Sequence, residues 1–209
     1  MRDRLLLPLP DYVRIYQVIY STLEASGIAL THRACLFFAF AGVLILREKY
    51  KLPATVSAGC MALMVEDNST TVVYGRQEDG FVEYGRESFH AWIECDGWLI
   101  DFMSPIMGTA VREDGHDWVI PRKMLQKRLD LAKPSLAELA RSGDFFIEHD
   151  RALADSLIDR QPVQFHDLLN VCSTWFRRPP KKLERLSMGD SQAGVRKLVL
   201  CAPSVSGVW

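Results

Sequence analysis

Residues 31–46 read THRACLFFAFAGVLIL, with no charged or strongly polar residue from Ala34 to Leu46. At about 1.5 Å per residue these positions would form a helix of roughly 20 Å, too short to cross the roughly 30 Å core of a bilayer. A helix that is apolar on every side must be covered by other elements. The segment therefore predicts a buried central helix, with Thr31 as its N-cap.

Cys35 lies in the first turn of this predicted helix. Unpaired backbone N–H groups and the positive end of the helix dipole favour a thiolate at such a position. A lone cysteine can equally be packed as a small hydrophobic residue. The position alone leaves both interpretations open.

The chain of 209 residues carries a net charge of −1 and five cysteines, with no CxxC pair among them. Its length suits one domain, and we predict a single domain over residues 1–209, with a core at 10–120 and a helical C-terminal part at 121–209. The balanced charge predicts no nucleic-acid or membrane partner. The odd number of cysteines argues against a disulfide framework. The odd number of cysteines and an N-terminal apolar run that is interrupted by prolines together predict a cytoplasmic location.

The remaining segments predict a mixture of helices and strands, so the expected fold class is α+β. Predicted helices cover residues 10–26, 123–131, 135–141, 151–157 and 163–176, with Asp150 as a cap for the fourth. Predicted strands cover residues 55–65 and 70–74, and residues 195–200 form a candidate edge strand. Residues 75–80 and 104–115 are predicted to be loops.

Residues 88–103 predict a β-hairpin. Two strand-like runs, 89–95 and 98–102, flank Asp96-Gly97, and Asp-Gly between such runs favours a two-residue type I′ turn. This turn would pair Cys95 with Trp98, and every later pair follows from that register.

Alternation of side chains then gives the hairpin two distinct faces. One face is apolar and suits a core: Ala91, Ile93, Cys95, Trp98 and Ile100. The other carries His90, Trp92, Glu94, Leu99 and Asp101. His90 and Asp101 become diagonal neighbours, close enough for a hydrogen bond between their side chains.

Cys35, His90 and Asp101 together are the groups that thiol catalysis requires. The thiolate attacks an acyl carbon, the imidazole transfers the proton, and the carboxylate orients the imidazole. The backbone N–H of Cys35 is available to the oxyanion, although no second donor can be assigned from the sequence.

The same residues resemble a known group of enzymes. His90-Ala91-Trp92-Ile93-Glu94, followed by Trp98-Leu99-Ile100-Asp101, is similar to the His-Ala-Trp-x-Glu … Trp-x-x-x-Asp pattern of the transglutaminase-like superfamily, with one residue fewer between Trp98 and Asp101. That superfamily belongs to the papain-like cysteine-enzyme fold, and the resemblance suggests a small bacterial family within it. The sequence departs from this pattern after Asp101, where Phe102 occupies the position of a proline that is frequent in the superfamily.

The resemblance implies a papain-like or transglutaminase-like fold in which a central helix carrying cysteine packs on an antiparallel sheet carrying histidine and aspartate. Cys35 would be the nucleophile, His90 the general base and acid, and Asp101 the orienting carboxylate. The expected activity is a cysteine-dependent hydrolase or acyltransferase acting on an amide or acyl substrate, including peptides, without a cofactor or metal.

Three further side chains are candidates for the substrate cleft: Trp92, Tyr20 and Arg33. Two alternatives to the enzyme remain open. One is a non-catalytic binding or scaffold module that retains the fold. The other is a metal site formed by Cys35, His90 and Asp101.

Overall fold

A mostly antiparallel sheet with helices packed against it organises the chain, in a computed structural model that describes residues 5–78, 81–189 and 194–209. Within these ranges the α-helices are α1 (Leu9–Ser26), α2 (Cys35–Ile45), α3 (Met107–Glu113), α4 (Arg151–Ile158) and α5 (Val163–Trp175). The first six strands are β1 (Thr55–Glu66), β2 (Thr70–Tyr74), β3 (Arg76–Glu78), β4 (Phe81–Glu83), β5 (His90–Cys95) and β6 (Trp98–Asp101). The later strands are β7 (Lys123–Arg128), β8 (Phe145–His149), β9 (Ser187–Gly189), β10 (Val195–Lys197) and β11 (Gly207–Val208).

The main sheet has the strand order β11-β7-β6-β5-β1-β2, and β8 also pairs with β1. All of these pairs are antiparallel except that between β11 and β7. The strands β3 and β4 form a separate hairpin, and β9 pairs with β10. The fold is therefore α+β, as the sequence predicts.

Helix α2 is the buried element around which the other helices are arranged. It contacts β5, α1 and α5, and most of its side chains are buried. Gly42 allows the helix to approach the hairpin closely, since a Cβ built on it would lie 2.5 Å from Cδ1 of Ile93. The central-helix prediction is confirmed.

The predicted hairpin is also confirmed in its register. Cys95 pairs with Trp98 and Ile93 with Ile100. The turn residues Asp96 and Gly97 both have positive φ, 49° and 76°, as a type I′ turn requires. The apolar face of the hairpin joins the main core, while Trp92 and Leu99 on the opposite face belong to a second buried cluster.

The start of α2 differs from the prediction. Thr31 is not the N-cap, because residues Thr31–Arg33 form a separate 3₁₀ turn and α2 begins at Cys35. The cap position is Ala34, which has no side chain that could accept a hydrogen bond. Cys35 is consequently the first residue of α2, so its N–H has no acceptor within the helix.

Three segments were predicted in the wrong class. Residues 104–115 contain a 3₁₀ turn and α3 instead of a loop. Residues 123–131 form β7 and a 3₁₀ turn at Leu129–Leu131 instead of a helix, because pairing with β6 holds β7 in the sheet. In the segment 75–80, residues Arg76–Glu78 form β3, and Asp79 and Gly80 lie outside the described residues.

The C-terminal part is not purely helical. It contains the predicted α4, whose cap Asp150 accepts a 2.8 Å hydrogen bond from the backbone N–H of Ala152, and the predicted α5. The predicted helix at 135–141 is reduced to a 3₁₀ turn at Leu136–Glu138. Because β7 and β8 join the main sheet, the division into a core at 10–120 and a helical remainder is wrong.

Across the described ranges, no helix is both long enough and apolar enough to cross a membrane.

Candidate active site

Cys35 stands at the N-terminus of α2, where the preceding 3₁₀ turn is tied to the end of α3. His32 lies 2.6 Å from Glu113 through Nε2 and Oε2, and Arg33 donates to both carboxylate oxygens of Asp114 at 2.5 and 3.2 Å. Cys35 itself is 8 % exposed. The turn therefore holds the sulfur at the start of the helix with little contact with solvent.

His90 and Asp101 form a buried pair. His90 Nε2 lies 3.1 Å from Asp101 Oδ2, and the two residues are 0 % and 2 % exposed. The other carboxylate oxygen, Oδ1, accepts a 2.8 Å hydrogen bond from the backbone N–H of Met103. Tyr12 donates its hydroxyl to the backbone carbonyl of Asp101. Both ends of Asp101 are thus fixed, and the carboxylate in turn orients the His90 ring.

The second ring nitrogen of His90, Nδ1, is buried and has no hydrogen-bond partner within the described residues. Cys35 is nevertheless close enough to the His90 ring to raise the pKa of His90. The structure therefore brings together all three residues that the sequence assigns to the reaction centre.

Burial and charge act in opposite directions on the pKa of His90. Burial is the largest single influence and lowers the pKa, but the charge and hydrogen bond of Asp101 and the interaction with Cys35 raise it. Together the latter raise the pKa of His90 to about 10. The carboxylate and the sulfur beside the ring accordingly favour its protonated form.

Tyr74 is a site residue that sequence reasoning missed. Its ring stacks on the His90 ring, with centroids 4.1 Å apart and planes inclined by 20°. Residues 70–74 were correctly predicted to be a strand, but only the order of strands in the sheet places Tyr74 beside His90. No local pattern could have shown this.

The three residues predicted to line the cleft lie in different surroundings in the structure. Trp92 is fully buried and donates from Nε1 to Glu94 Oε1 at 3.1 Å, so it packs beside His90 and is not an open wall. Tyr20 lies against Tyr16 and packs on the main core cluster, to which Cys35 also belongs. Arg33 is paired with Asp114 but also lines a cavity next to the site.

This cavity is a groove of about 1180 Å³ whose lining includes residues next to Cys35 and His90 in the chain, but neither Cys35 nor His90 itself. Ala34 and Leu36 flank Cys35 in the chain, Phe89 precedes His90, and all three line it. Its apolar lining continues along α5 with Phe165, Leu168 and Val171. We refer to it as the α5 groove. Within the described ranges, no three or more His, Cys, Asp or Glu residues are grouped so that they could hold a metal ion.

The fold and the site define a mixed α+β protein with a mostly antiparallel sheet and a buried Cys–His–Asp cluster. The chain belongs to the family DUF2026, described as "Protein of unknown function", whose model matches residues 8–209. It is also similar to a solved structure titled "The crystal structure of genomics APC5867". The two share 31% identity with a TM-score of 0.84 over 99% of this chain and 98% of that chain. No curated protein matches the sequence significantly.

Proposed function

We propose that this protein is a cysteine-dependent hydrolase or acyltransferase that forms an acyl-thioester on Cys35. One observation carries the proposal: the His90 ring lies beside Cys35 while its Nε2 is held 3.1 Å from the buried carboxylate of Asp101. A nucleophile, a base and an orienting acid in this relation are the minimum set for covalent acyl transfer.

The charge state of His90 favours an ion-pair form of the reaction. With the proton on His90, the Cys35 sulfur would react as a thiolate, assisted by the positive end of α2. The same proton is then available for the leaving group. Asp101 keeps the ring in one orientation throughout the cycle.

In the first half-reaction the Cys35 thiolate attacks the acyl carbon, forming a C–S bond and an oxyanion. When this intermediate collapses, the bond to the leaving group breaks and the leaving nitrogen or oxygen takes the proton from His90. In the second half-reaction, water or an amine gives a proton to His90 and attacks the thioester carbon. The C–S bond breaks and the Cys35 thiolate is regenerated.

The α5 groove supports a substrate with an apolar acyl part. It is larger than the roughly 300–1,000 Å³ of most small-molecule sites. Apolar residues form much of its lining, and it begins at the residues that flank Cys35 and His90. An amide or ester whose acyl group is a hydrophobic chain or peptide residue would match this shape and polarity.

A papain-like or transglutaminase-like arrangement is the fold we propose for this reaction. Three observations support it. The cysteine begins the buried helix α2, the histidine begins β5, and the aspartate ends β6 of the adjoining antiparallel pair. Their order along the chain is Cys, His, Asp, as in the superfamily that the sequence resembles.

The test is alkylation of Cys35 by iodoacetamide at pH 7, followed by peptide mass spectrometry. We expect Cys35 to react at least about tenfold faster than a free thiol, because a free cysteine is only a few per cent thiolate at this pH. His90→Gln should remove this advantage, while His116→Gln, which changes an exposed histidine, should not.

A Cys35 that reacts no faster than a free thiol, at a rate unaffected by His90→Gln, would reject the enzyme. That result would favour the non-catalytic module instead.

A further inference from the structure

Tyr74 and His90 are brought together by their positions on either side of β1. Tyr74 pairs with Met61, and His90 pairs with Gly59. Residues two apart on a strand share a face, so Tyr74 and His90 project from the same face of the sheet. The two rings stack with their centroids 4.1 Å apart.

The Tyr74 hydroxyl is buried and, among the residues that the structure describes, has no hydrogen-bond partner. Tyr12, another buried phenol, does have a partner, because it donates to the backbone carbonyl of Asp101. A buried hydroxyl without a partner is destabilising in the free protein. Such a group is a candidate for a role in which a ligand supplies the missing acceptor.

The Tyr74 hydroxyl interacts electrostatically with residues of the candidate centre. Burial raises the pKa of Tyr74 well above the ordinary value, electrostatic interaction with Asp101 and Cys35 raises it further, and interaction with Arg33 lowers it. The phenol therefore keeps its proton at neutral pH. It is a donor without an acceptor, near the sulfur that would attack the substrate.

We propose that the Tyr74 hydroxyl donates a hydrogen bond to the oxyanion that forms when Cys35 attacks the acyl carbon. This inference rests on the proposed function and supplies the second donor beside the backbone N–H of Cys35. Both donors would be in place before substrate arrives, which is the condition under which such groups stabilise a developing charge most effectively.

Two other donors near the site, Trp92 and Arg33, already have acceptors. The indole N–H of Trp92 donates to Glu94, and the guanidinium of Arg33 donates to both oxygens of Asp114. Releasing either would break an existing contact. Tyr74 can donate to the oxyanion without losing any hydrogen bond shown within the described residues.

The experiment compares wild type with Tyr74→Phe, which removes only the hydroxyl and keeps a ring that can stack on His90. Acylation by p-nitrophenyl acetate is followed as the burst of p-nitrophenolate. Mass spectrometry locates the acetyl group on Cys35. We expect the acylation rate constant to fall by about 10²- to 10³-fold, the usual effect of losing one oxyanion donor.

Two controls separate this role from a structural one. Alkylation of Cys35 by iodoacetamide develops no oxyanion, so Tyr74→Phe should leave its rate within about twofold of wild type. Tyr16→Phe removes another buried hydroxyl without a partner, on α1 beside Tyr20, and should leave acylation unchanged.

Acylation of Tyr74→Phe within about threefold of wild type would overturn the inference, and so would an equal loss in the alkylation rate. Failure of the proposed function looks different. In that case wild type shows neither fast alkylation nor an acetyl group on Cys35.

Discussion

Gly42 of α2 lies against Phe102 so closely that a Cβ built on the glycine would stand 2.7 Å from Cδ2 of the ring. The same Cβ would be 2.5 Å from Cδ1 of Ile93 on β5. This contact sets the distance between the helix that begins with Cys35 and the strand that begins with His90.

Replacing Gly42 with alanine should destabilise the fold and disturb the candidate site together. Alanine is favoured over glycine in a helix by about 1 kcal/mol, but overpacking costs about 1–3 kcal/mol, and here both neighbours would have to move. We expect a net loss of up to about 2 kcal/mol in urea denaturation, and slower alkylation of Cys35. Gly85→Ala, where no atom lies within 4 Å of the new Cβ, should change neither quantity.

The raised pKa of His90 predicts a pH dependence of stability. The pKa of His90 in the folded protein, about 10, lies above the ordinary value of 6.5. The stabilisation of the fold by His90 is therefore fully present below pH 6.5 and is lost as the pH rises towards 10. Urea denaturation at stepped pH should show a free energy of unfolding that falls by up to about 1.4 kcal/mol per pH unit in this window. His90→Gln should flatten the curve between about pH 6.5 and 7.5, below the range where most unfolded cysteines and tyrosines ionise. A wild-type curve that is flat over this pH unit would contradict the assignment.

Asp101→Asn should lower catalysis much more than it lowers stability. The amide keeps the volume of the side chain, and its oxygen can still accept from the backbone N–H of Met103. It removes the negative charge that raises the pKa of His90. We expect the rate of acylation by p-nitrophenyl acetate to fall by about two to four orders of magnitude. Nuclear magnetic resonance titration of the imidazole should show a lower pKa in the variant. An unchanged imidazole titration would argue against the pair.

The five cysteines should differ sharply in reactivity. Burial raises the pKa values of Cys60 and Cys95 to about 11 and that of Cys172 to about 12, so their thiolates are scarce at neutral pH. Cys201 is exposed. In the folded protein at pH 7, mass spectrometry should find fast alkylation of Cys35, ordinary alkylation of Cys201 and none at the other three until denaturant is added. Early modification of Cys172 would show that the core opens more readily than this packing implies.

The α5 groove predicts a preference for longer apolar acyl groups. Each buried methylene contributes about 0.8 kcal/mol, or about fourfold in kcat/KM, so p-nitrophenyl octanoate should be a better substrate than the acetate. Leu168→Glu places a charge in the groove and should reduce activity on the octanoate by at least about tenfold while sparing the acetate. Val163→Glu, on the same helix at a 72 % exposed position outside the groove, is the matched control. Equal losses on both esters would place Leu168 outside the acyl-binding surface.

Local patterns were sufficient to predict the elements that carry the triad. The turn Asp96-Gly97 fixes the hairpin register, and that register places His90 beside Asp101. The uninterrupted apolar run in α2 could only be a buried helix. In each case, the decisive information lies within a few residues of the element itself.

The remaining errors arise where distant parts of the chain decide the structure. The pattern of residues 123–131 also suits a helix, and only pairing with β6 makes Lys123–Arg128 a strand. Tyr74 was not predicted at the site, because its distance from His90 depends on both β2 and β5 pairing with β1. Sequence periodicity contains no information about which strand lies next to which.

Cys35 and His90 belong to elements that are far apart along the chain and meet only when α2 is pressed onto the hairpin at Gly42. A nascent or molten chain that has formed the helix and the hairpin separately would hold an ordinary thiol. Enhanced reactivity of this sulfur would therefore report side-chain packing and not secondary structure. A labelling rate measured along a denaturation curve would detect loosening of the core before circular dichroism registers any loss of helix.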